Sequence, residues 1–152
     1  MNIVVAENHV PAMRDEDIAK VRELEARLLA MPQVPIGTEH ALHGGLYART
    51  ITIPAGVVLT GVLVRVPTLL IFDGHATVNL GGEAVELIGH HVLAASAHRR
   101  QAFLAHADTQ LTMVFATKAQ TVMEAEDEFT AEADLLLSRR PGALNRITIT
   151  GE

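Results

Sequence analysis

The sequence predicts a mainly β domain, with an all-β barrel or sandwich over residues 46–122 preceded by one helix and followed by a short one. Between Tyr47 and Thr117 short apolar segments follow one another, and glycine-containing turns separate them about every eight to twelve residues. The chain of 152 residues is long enough for one core. No helical segments alternate with these strands, so a βαβ arrangement is not expected.

Residues 1–45 are expected to form an arm, a helix and a linker that pack on the barrel. Residues 1–13 show no periodicity and contain Pro11, which favours an arm outside the core. From Asp15 to Ala30 the apolar residues recur with helical spacing behind an acidic start, which predicts an amphipathic helix. Prolines and glycines in residues 32–45 predict an irregular linker.

Within residues 46–122 each apolar segment ends at a turn signal. Leu46–Ile53 alternates with β-branched residues and ends at a Pro-Ala-Gly sequence. Asp73-Gly74 is the strongest short hairpin signal, so we expect one strand on each side of it. Gly81-Gly82 predicts a second hairpin turn. The other strands are expected at residues 57–66, 69–72, 76–80, 83–88, 90–95, 99–105 and 111–116.

Residues 123–152 form an acidic C-terminal segment. Six acidic residues lie between Met123 and Asp134, and the bases that follow them predict a short helix with a solvated acidic face. A partner-binding surface is the alternative interpretation of this charge. Arg146–Thr150 alternates like a strand and is able to pair with an edge of the barrel or with a second subunit.

Charge and composition argue against several classes of function. The net charge is −6, and the acidic residues are concentrated outside residues 40–122. Acidic flanks, a single tyrosine and no tryptophan argue against nucleic-acid binding. No apolar run reaches the roughly 18 to 20 residues that span a membrane. No signal-peptide pattern stands at the N-terminus, so we expect a cytoplasmic protein.

Nucleophilic chemistry is also disfavoured. The chain contains no cysteine, which excludes disulfides, thiolate metal sites and cysteine nucleophiles. Its two serines, Ser96 and Ser138, lie outside any Gly-x-Ser-x-Gly pattern. Glu83 and Glu86 are three residues apart in a predicted strand and therefore face opposite sides, so they cannot act as a carboxylate pair.

Several segments resemble those of small cupin-like proteins encoded by tailed phages and prophages. These are Leu-Tyr-Ala-Arg at 46–49, Ile-Thr-Ile-Pro-Ala-Gly at 51–56 and Leu-Thr-Gly at 59–61. Met31–Val34, His40 and the strand of Arg100 match as well, so the resemblance covers roughly residues 28–129. It implies a cupin-type double-stranded β-helix, which is a jelly-roll barrel.

The resemblance does not extend to the usual cupin metal motif. That motif has two histidines and a glutamate before a turn glycine, and a third histidine in a later strand. If Gly74 is the turn glycine, the histidine pair falls among residues 61–64, the glutamate near Pro67 and the third histidine near Gln101. Val62, Leu63 and Val64 are not metal ligands, and Gln101 is a poor one. We therefore expect no cofactor.

A non-standard set of histidines is the alternative, with a divalent transition metal bound by His40, His43, His90, His91 and His98 or some of them. His40 and His43 are three apart in the linker, and hydrogen-bonded or solvated side chains are the interpretation we favour. His90 and His91 are adjacent, so in a strand at most one of them faces the interior. His98 is expected to be a hydrogen-bonded strand residue.

Tyr47, Arg49, Arg65 and Gln101 are the candidate ligand-binding residues. Tyr47 and Arg49 alternate with Ile51 and therefore share a face, which places them at the barrel mouth if the isoleucines face the core. A partly buried guanidinium needs a carboxylate partner or an anionic ligand. For Arg49 we favour an ion pair with Glu83 or Glu86, or a contact between subunits, over ligand binding.

Two functions follow from this sequence. The preferred one is a non-enzymatic cupin-like module of phage or prophage origin, with a structural, accessory or small-ligand-binding role. The alternative is a metal-dependent cupin enzyme of the isomerase or oxygenase type that uses the non-standard histidines. A homodimer is expected because an open jelly roll leaves a strand edge that needs covering, and residues 146–150 are able to cover one.

Overall fold

The computed structural model describes residues 8–80 and 82–152. These residues form two α-helices and nine strands. The helices are α1 (Asp15–Leu29) and α2 (Val122–Phe129), and single 3-10 turns follow at Ala133–Leu135 and Leu137–Arg139. The strands are β1 (His9–Val10), β2 (Thr38–His43), β3 (Leu46–Ile53), β4 (Val58–Thr60), β5 (Thr68–Leu80), β6 (Glu83–Ala95), β7 (Ala102–Ala105), β8 (Thr109–Ala116) and β9 (Asn145–Ile149).

The long β5–β6 hairpin joins two faces of a jelly roll. Residues 69–73 of β5 pair with β8, in the strand order β1-β6-β5-β8-β3-β2-β9. Residues 76–78 of the same strand pair with β7, which in turn pairs with β4. A strand that changes partners along its length makes the corner of such a barrel. The predicted mainly β jelly roll with an N-terminal and a short C-terminal helix is confirmed.

The hairpin predicted at Asp73-Gly74 is wrong, because β5 continues through both residues. Gly74 lies opposite Gly89 of β6 and has a φ of 153°. A Cβ at Gly74 would lie 2.7 Å from the Cα of Thr109, at the start of β8. This glycine is therefore needed for the close approach of another strand and not for a turn. Likewise, the segments expected at 83–88 and 90–95 form the single strand β6.

The predicted turn at Gly81-Gly82 does join β5 to β6. Leu80 pairs with Glu83 across it, and Gly82 has a φ of 82°, a conformation that favours glycine. Gly81 itself lies outside the described residues. The predictions for α1 and β3 are confirmed, since α1 ends at Leu29 and β3 has the predicted bounds.

The N-terminal arm and the linker differ from their predictions. Val10, in β1, is 1% exposed and belongs to the main core, and Met13 is buried against α1. Residues 1–7 of the expected arm lie outside the described residues. Residues 32–45 contain β2, which pairs with β3 from Thr38↔Ile51 to His43↔Leu46. Two of the three buried positions of β2 hold polar residues, Thr38 and His40, so the sequence of β2 does not show an alternation of apolar and polar residues.

Helix α1 is fixed against the barrel by apolar contacts and ion pairs. Ile18 and Val21 are buried in a cluster with Met13. The Arg100 guanidinium donates to the carboxylate of Glu25 and, at 2.9 Å, to the carbonyl of Gly61. The end of α1 therefore lies beside the barrel opening. Within the described residues, neither helix combines the length and the apolar composition that crossing a bilayer requires.

The C-terminal segment packs on the same side of the barrel and then joins the sheet. The backbone N–H of Glu124 donates to the hydroxyl of Thr121, which caps α2. Phe129 of α2 is buried against Tyr47 and Phe115. Strand β9 pairs in parallel with β2 of the same chain, from Thr38↔Asn145 to Leu42↔Ile149. Residues 146–150 were expected to pair with an edge of the barrel or with a second subunit, and the structure shows the pairing with the barrel.

Candidate functional site

A cavity of about 430 Å³ lies between the barrel, the end of α1 and residues 135–140. Strand register explains which side chains reach it: Arg49 pairs with Met113 and Ile51 with Leu111, so these four alternate positions share one face. Cavities of this size hold small organic molecules. The apolar part of the wall comes from Ile51, Val57, Leu59, Val62, Val64, Leu70, Phe103, Leu111, Met113 and Phe129, with Leu28 and Leu29 of α1 at the opening.

The segment between β6 and β7 turns one arginine into this cavity and the next one away from it. Arg99 and Gln101 line the cavity, whereas Arg100 points to Glu25 of α1. Adjacent residues of an extended chain face opposite sides, so Arg99 and Gln101 share a face. His98, directly before Arg99 in this segment, has a φ of 63°.

Arg99 is a buried cation without a carboxylate partner in the described part of the chain. Its side chain donates to the carbonyl of Ser96 and to the hydroxyl of Thr68, both at 2.7 Å, and the residue is 2% exposed. Burial lowers the pKa of Arg99 to about 10. The guanidinium is therefore still charged at neutral pH.

Gln101 places a second polar group in the same wall. The residue is 7% exposed, and its Nε2 has no hydrogen-bond partner within residues 8–80 and 82–152. Buried amide groups are normally hydrogen-bonded, and leaving one unsatisfied costs about 1 to 3 kcal/mol. Because Gln101 also lines the cavity, this unused donor makes the side chain a candidate ligand contact.

Arg49, by contrast, is neutralised by the protein. Its Nη1 donates to Oε2 of Glu126 at 2.8 Å, and its Nη2 donates to the hydroxyl of Ser138 at 3.0 Å. The ion pair expected with Glu83 or Glu86 is therefore wrong. The sequence does not reveal that Glu126 is the partner of Arg49. The two residues are far apart in the chain, and only folding brings α2 next to β3.

Glu126 is the centre of this ion-pair cluster. It is 1% exposed and also accepts from Nε of Arg139 at 3.0 Å. Burial alone would raise the pKa of Glu126, but hydrogen bonds from Ser138 and Arg139 and the charge of Arg49 hold it below its ordinary value. Glu126 is thus ionised at neutral pH and fixes the Arg49 side of the cavity wall.

Tyr47 lies behind Arg49, fully buried among aromatic side chains, and does not line the cavity. Its hydroxyl lies 2.7 Å from Nδ1 of His40 and accepts from Nη1 of Arg49 at 3.4 Å. The other His40 nitrogen, Nε2, is 2.7 Å from Oδ1 of Asn145 in β9. A neutral imidazole that donates through Nε2 and accepts at Nδ1 satisfies both contacts.

The pKa of His40 lies below its ordinary value of 6.5, mainly because the side chain is buried. The unfolded chain therefore binds a proton more readily than the folded one, and stability falls as the pH decreases through 6.5. We expect the melting temperature of the wild type to fall more steeply between pH 7 and pH 5 than that of His40→Gln.

The exposed histidine of the same strand provides the control for this pH dependence. His43 lies on the opposite face of β2, and its Nδ1 is 2.7 Å from the Thr150 hydroxyl. His43→Gln is expected to keep the wild-type slope of melting temperature against pH. Equal slopes for the wild type and His40→Gln in a calorimetric series would show that His40 does not control this dependence.

The remaining candidates lie apart from the cavity. Arg65 is exposed and donates to the backbone carbonyls of Asp127 and Glu128, because its neighbours Val64 and Val66 take the inward positions. His90 and His91 lie on β6 opposite Asp73 and Phe72. The exposed His98 is 3.0 Å from Oδ1 of Asp15.

The five histidines of the alternative metal set do not converge. Throughout the described ranges, no three His, Cys, Asp or Glu side chains are grouped so that they could hold a metal ion. Gly74 lies within β5 and is not the turn glycine of a cupin motif, yet Val62, Val64 and Gln101 do line the cavity. The positions expected for metal ligands therefore carry two apolar side chains and one amide in the wall.

Sequence reasoning found Arg49 and Gln101 in the wall but missed Arg99. The signal was the Arg99-Arg100 pair in a predicted strand: two adjacent residues face opposite sides, so one arginine had to point inward. Of these two arginines, Arg100 pairs with Glu25, whereas the inward Arg99 has no carboxylate partner within residues 8–80 and 82–152.

No family model and no curated protein matches this chain. Among solved structures, a cupin superfamily protein from Desulfitobacterium hafniense is 16% identical, with a TM-score of 0.47 over 61% of this chain and 87% of that chain. KdgF from Halomonas sp. is 19% identical, with a TM-score of 0.47 over 59% and 84%. Ectoine synthase from P. lautus is 18% identical, with a TM-score of 0.48 over 64% and 75%. The structural neighbours of the chain thus include cupin superfamily proteins.

Proposed function

We propose that this protein is a non-enzymatic, cupin-like module that binds a small organic molecule in its barrel. The observation that carries the proposal is the cavity of about 430 Å³, whose apolar wall includes a buried cation and an unused amide donor. An apolar cavity with a few polar groups binds and orients a ligand. Val62 and Val64 also line the cavity, where their side chains contribute apolar surface and no metal ligand.

The uncharged fluorophore N-phenyl-1-naphthylamine tests the binding role, because its emission rises on transfer to an apolar site. One equivalent is expected to bind to the wild type. Val62→Trp places an indole in the cavity and is expected to abolish binding. Val92→Trp, at a 46% exposed position on β6, is the matched control and is expected to bind like the wild type. Absence of binding to the wild type would contradict the proposal.

Elemental analysis of untagged protein, purified without added metal, separates this role from the metal-dependent enzyme. Near-stoichiometric iron, manganese, nickel or zinc that is lost in His→Ala variants of the five candidate histidines would overturn the non-enzymatic proposal.

We further propose a cytoplasmic, phage- or prophage-type homodimer. The dimer is supported by β9, which pairs with β2 on one side and exposes Ile147 and Ile149. Native mass spectra of the same samples report the assembly mass, and a monomer would contradict the dimer.

A further inference from the structure

We infer that the molecule bound in the barrel is a small apolar monocarboxylate, whose carboxylate is held by Arg99 and Gln101. The inference rests on the binding function proposed above and names the class of ligand for the same cavity.

The wall has one buried cation that the described protein groups leave without a counter-charge. Glu25, which lines the opening, is paired with Arg100, and Arg49 is paired with Glu126. Arg140 lines the rim but is exposed, so water solvates it. Arg99 is 2% exposed and has no such compensation. Because buried charges are normally paired, the missing partner is a single negative charge.

The donors around that position suit a carboxylate. A guanidinium has five N–H groups, and Arg99 uses one on Ser96 and one on Thr68. Nε2 of Gln101 has two further N–H groups without a partner in the described residues. The two side chains leave the same face of the chain two residues apart, or about 7 Å. A planar carboxylate accepts hydrogen bonds from such a pair of donor groups.

The rest of the wall limits the ligand to one charged group. Ile51, Leu111, Met113 and Phe129 surround the cavity with hydrocarbon. A phosphate monoester would bring a charge of about −1.5 to −2 at neutral pH, which exceeds the one uncompensated positive charge. A monocarboxylate with an apolar body satisfies Arg99 and Gln101 and also buries its remainder against these side chains.

Two matched pairs of probes test this class by isothermal titration calorimetry at pH 7.5. Octanoate is compared with octan-1-ol, and benzoate with benzyl alcohol, so that each pair differs mainly in the carboxylate. At least one carboxylate is expected to bind the wild type at least about tenfold more tightly than its alcohol, since a hydrogen bond to a charged group contributes more than 1.4 kcal/mol.

Three variants test whether Arg99 and Gln101 cause the tighter binding of the carboxylate. Arg99→Met is expected to remove the advantage of the carboxylate and to leave the affinity for the alcohol within about twofold, well under the 1.4 kcal/mol of a tenfold change. Arg140→Met removes the exposed cation at the rim and is expected to keep the advantage. Gln101→Glu supplies a fixed carboxylate beside Arg99 and is expected to abolish the preference as well. Circular dichroism checks folding, and Gln101→Glu carries the test if Arg99→Met does not fold.

The outcomes separate this inference from the function on which it rests. Equal affinities within both pairs, or a preference that survives in Arg99→Met and Gln101→Glu, would overturn the monocarboxylate while binding itself stands. Binding of N-phenyl-1-naphthylamine without binding of any carboxylate would do the same. If the fluorophore, the carboxylates and the alcohols all fail to bind the wild type, both the inference and the binding function are wrong.

Discussion

Replacing Gly74 with alanine is expected to lower the free energy of unfolding by about 4 kcal/mol, from backbone strain and overpacking together. The new Cβ would lie 2.7 Å from the Cα of Thr109, which is backbone and cannot rotate away. Thr109 is fully buried, and its hydroxyl donates to the carbonyl of Ala107 at 2.9 Å. Either β5 or the start of β8 would have to move, and this is the corner where β5 changes partners.

Gly89→Ala is the matched control for this substitution. Gly89 lies opposite Gly74 in the β5–β6 pair and also has a positive φ, of 89°, but no atom lies within 4 Å of an added Cβ. Its loss of stability is expected to come from the backbone alone, at about 1 to 2 kcal/mol. Urea unfolding of both variants measures the difference. Equal losses would show that contact with Thr109 contributes nothing.

The contrast between Gly74 and β3 shows why part of the fold was predictable. Leu46–Ile53 alternates over eight residues, and its bounds agree with the structure because the local alternation and the pairing with β8 cover the same residues. Asp73-Gly74 carries an equally strong local signal for a turn, yet the contact with Thr109 overrides it. That contact joins residues 35 positions apart in the chain, so no local pattern contains it.

The sequence predicts those parts of the site that follow from the alternation of side chains between the two faces of a strand. The alternation places Arg49 and Ile51 on one face of β3, and it also requires one of the adjacent residues Arg99 and Arg100 to point inward. The partner of Arg49 could not be predicted from the sequence, because nothing in the sequence distinguishes Glu126 from the solvated acidic residues around it. Only the packing of α2 against β3 shows that it is buried, at 1% exposure, and that its neighbour Asp127 is not.

Glu126→Gln is expected to destabilise the protein at pH 7 by about 3 to 5 kcal/mol, the range for a broken buried ion pair. Both arginines that Glu126 binds would lose their buried counter-charge: the Arg49 side chain is 11% exposed and that of Arg139 is 16% exposed. The substitution conserves volume, so the loss reports charge and not a cavity. Chemical denaturation of both proteins gives the difference in free energy.

The neighbouring acid is a control that binds the same arginine. Asp127 accepts from Nη2 of Arg139 at 2.9 Å, but its side chain is 63% exposed. Asp127→Asn is therefore expected to cost less than about 1 kcal/mol, as exposed ion pairs do. Comparable losses for the two variants would show that burial of Glu126 does not determine the strength of its pairs.

The loss in Glu126→Gln is also expected to depend on pH with a defined sign. Because the folded pKa of Glu126 lies below the ordinary value of 4.5, the ionised side chain stabilises the fold fully above pH 4.5. Below that pH the contribution decreases, and it disappears as the pH falls through the folded pKa. The difference in stability between the wild type and Glu126→Gln should therefore be largest near neutral pH and should shrink as the solution becomes acidic. A difference that stayed constant down to pH 3 would mean that Glu126 contributes through its shape and hydrogen bonds, and that its charge does not hold Arg49 in the cavity wall.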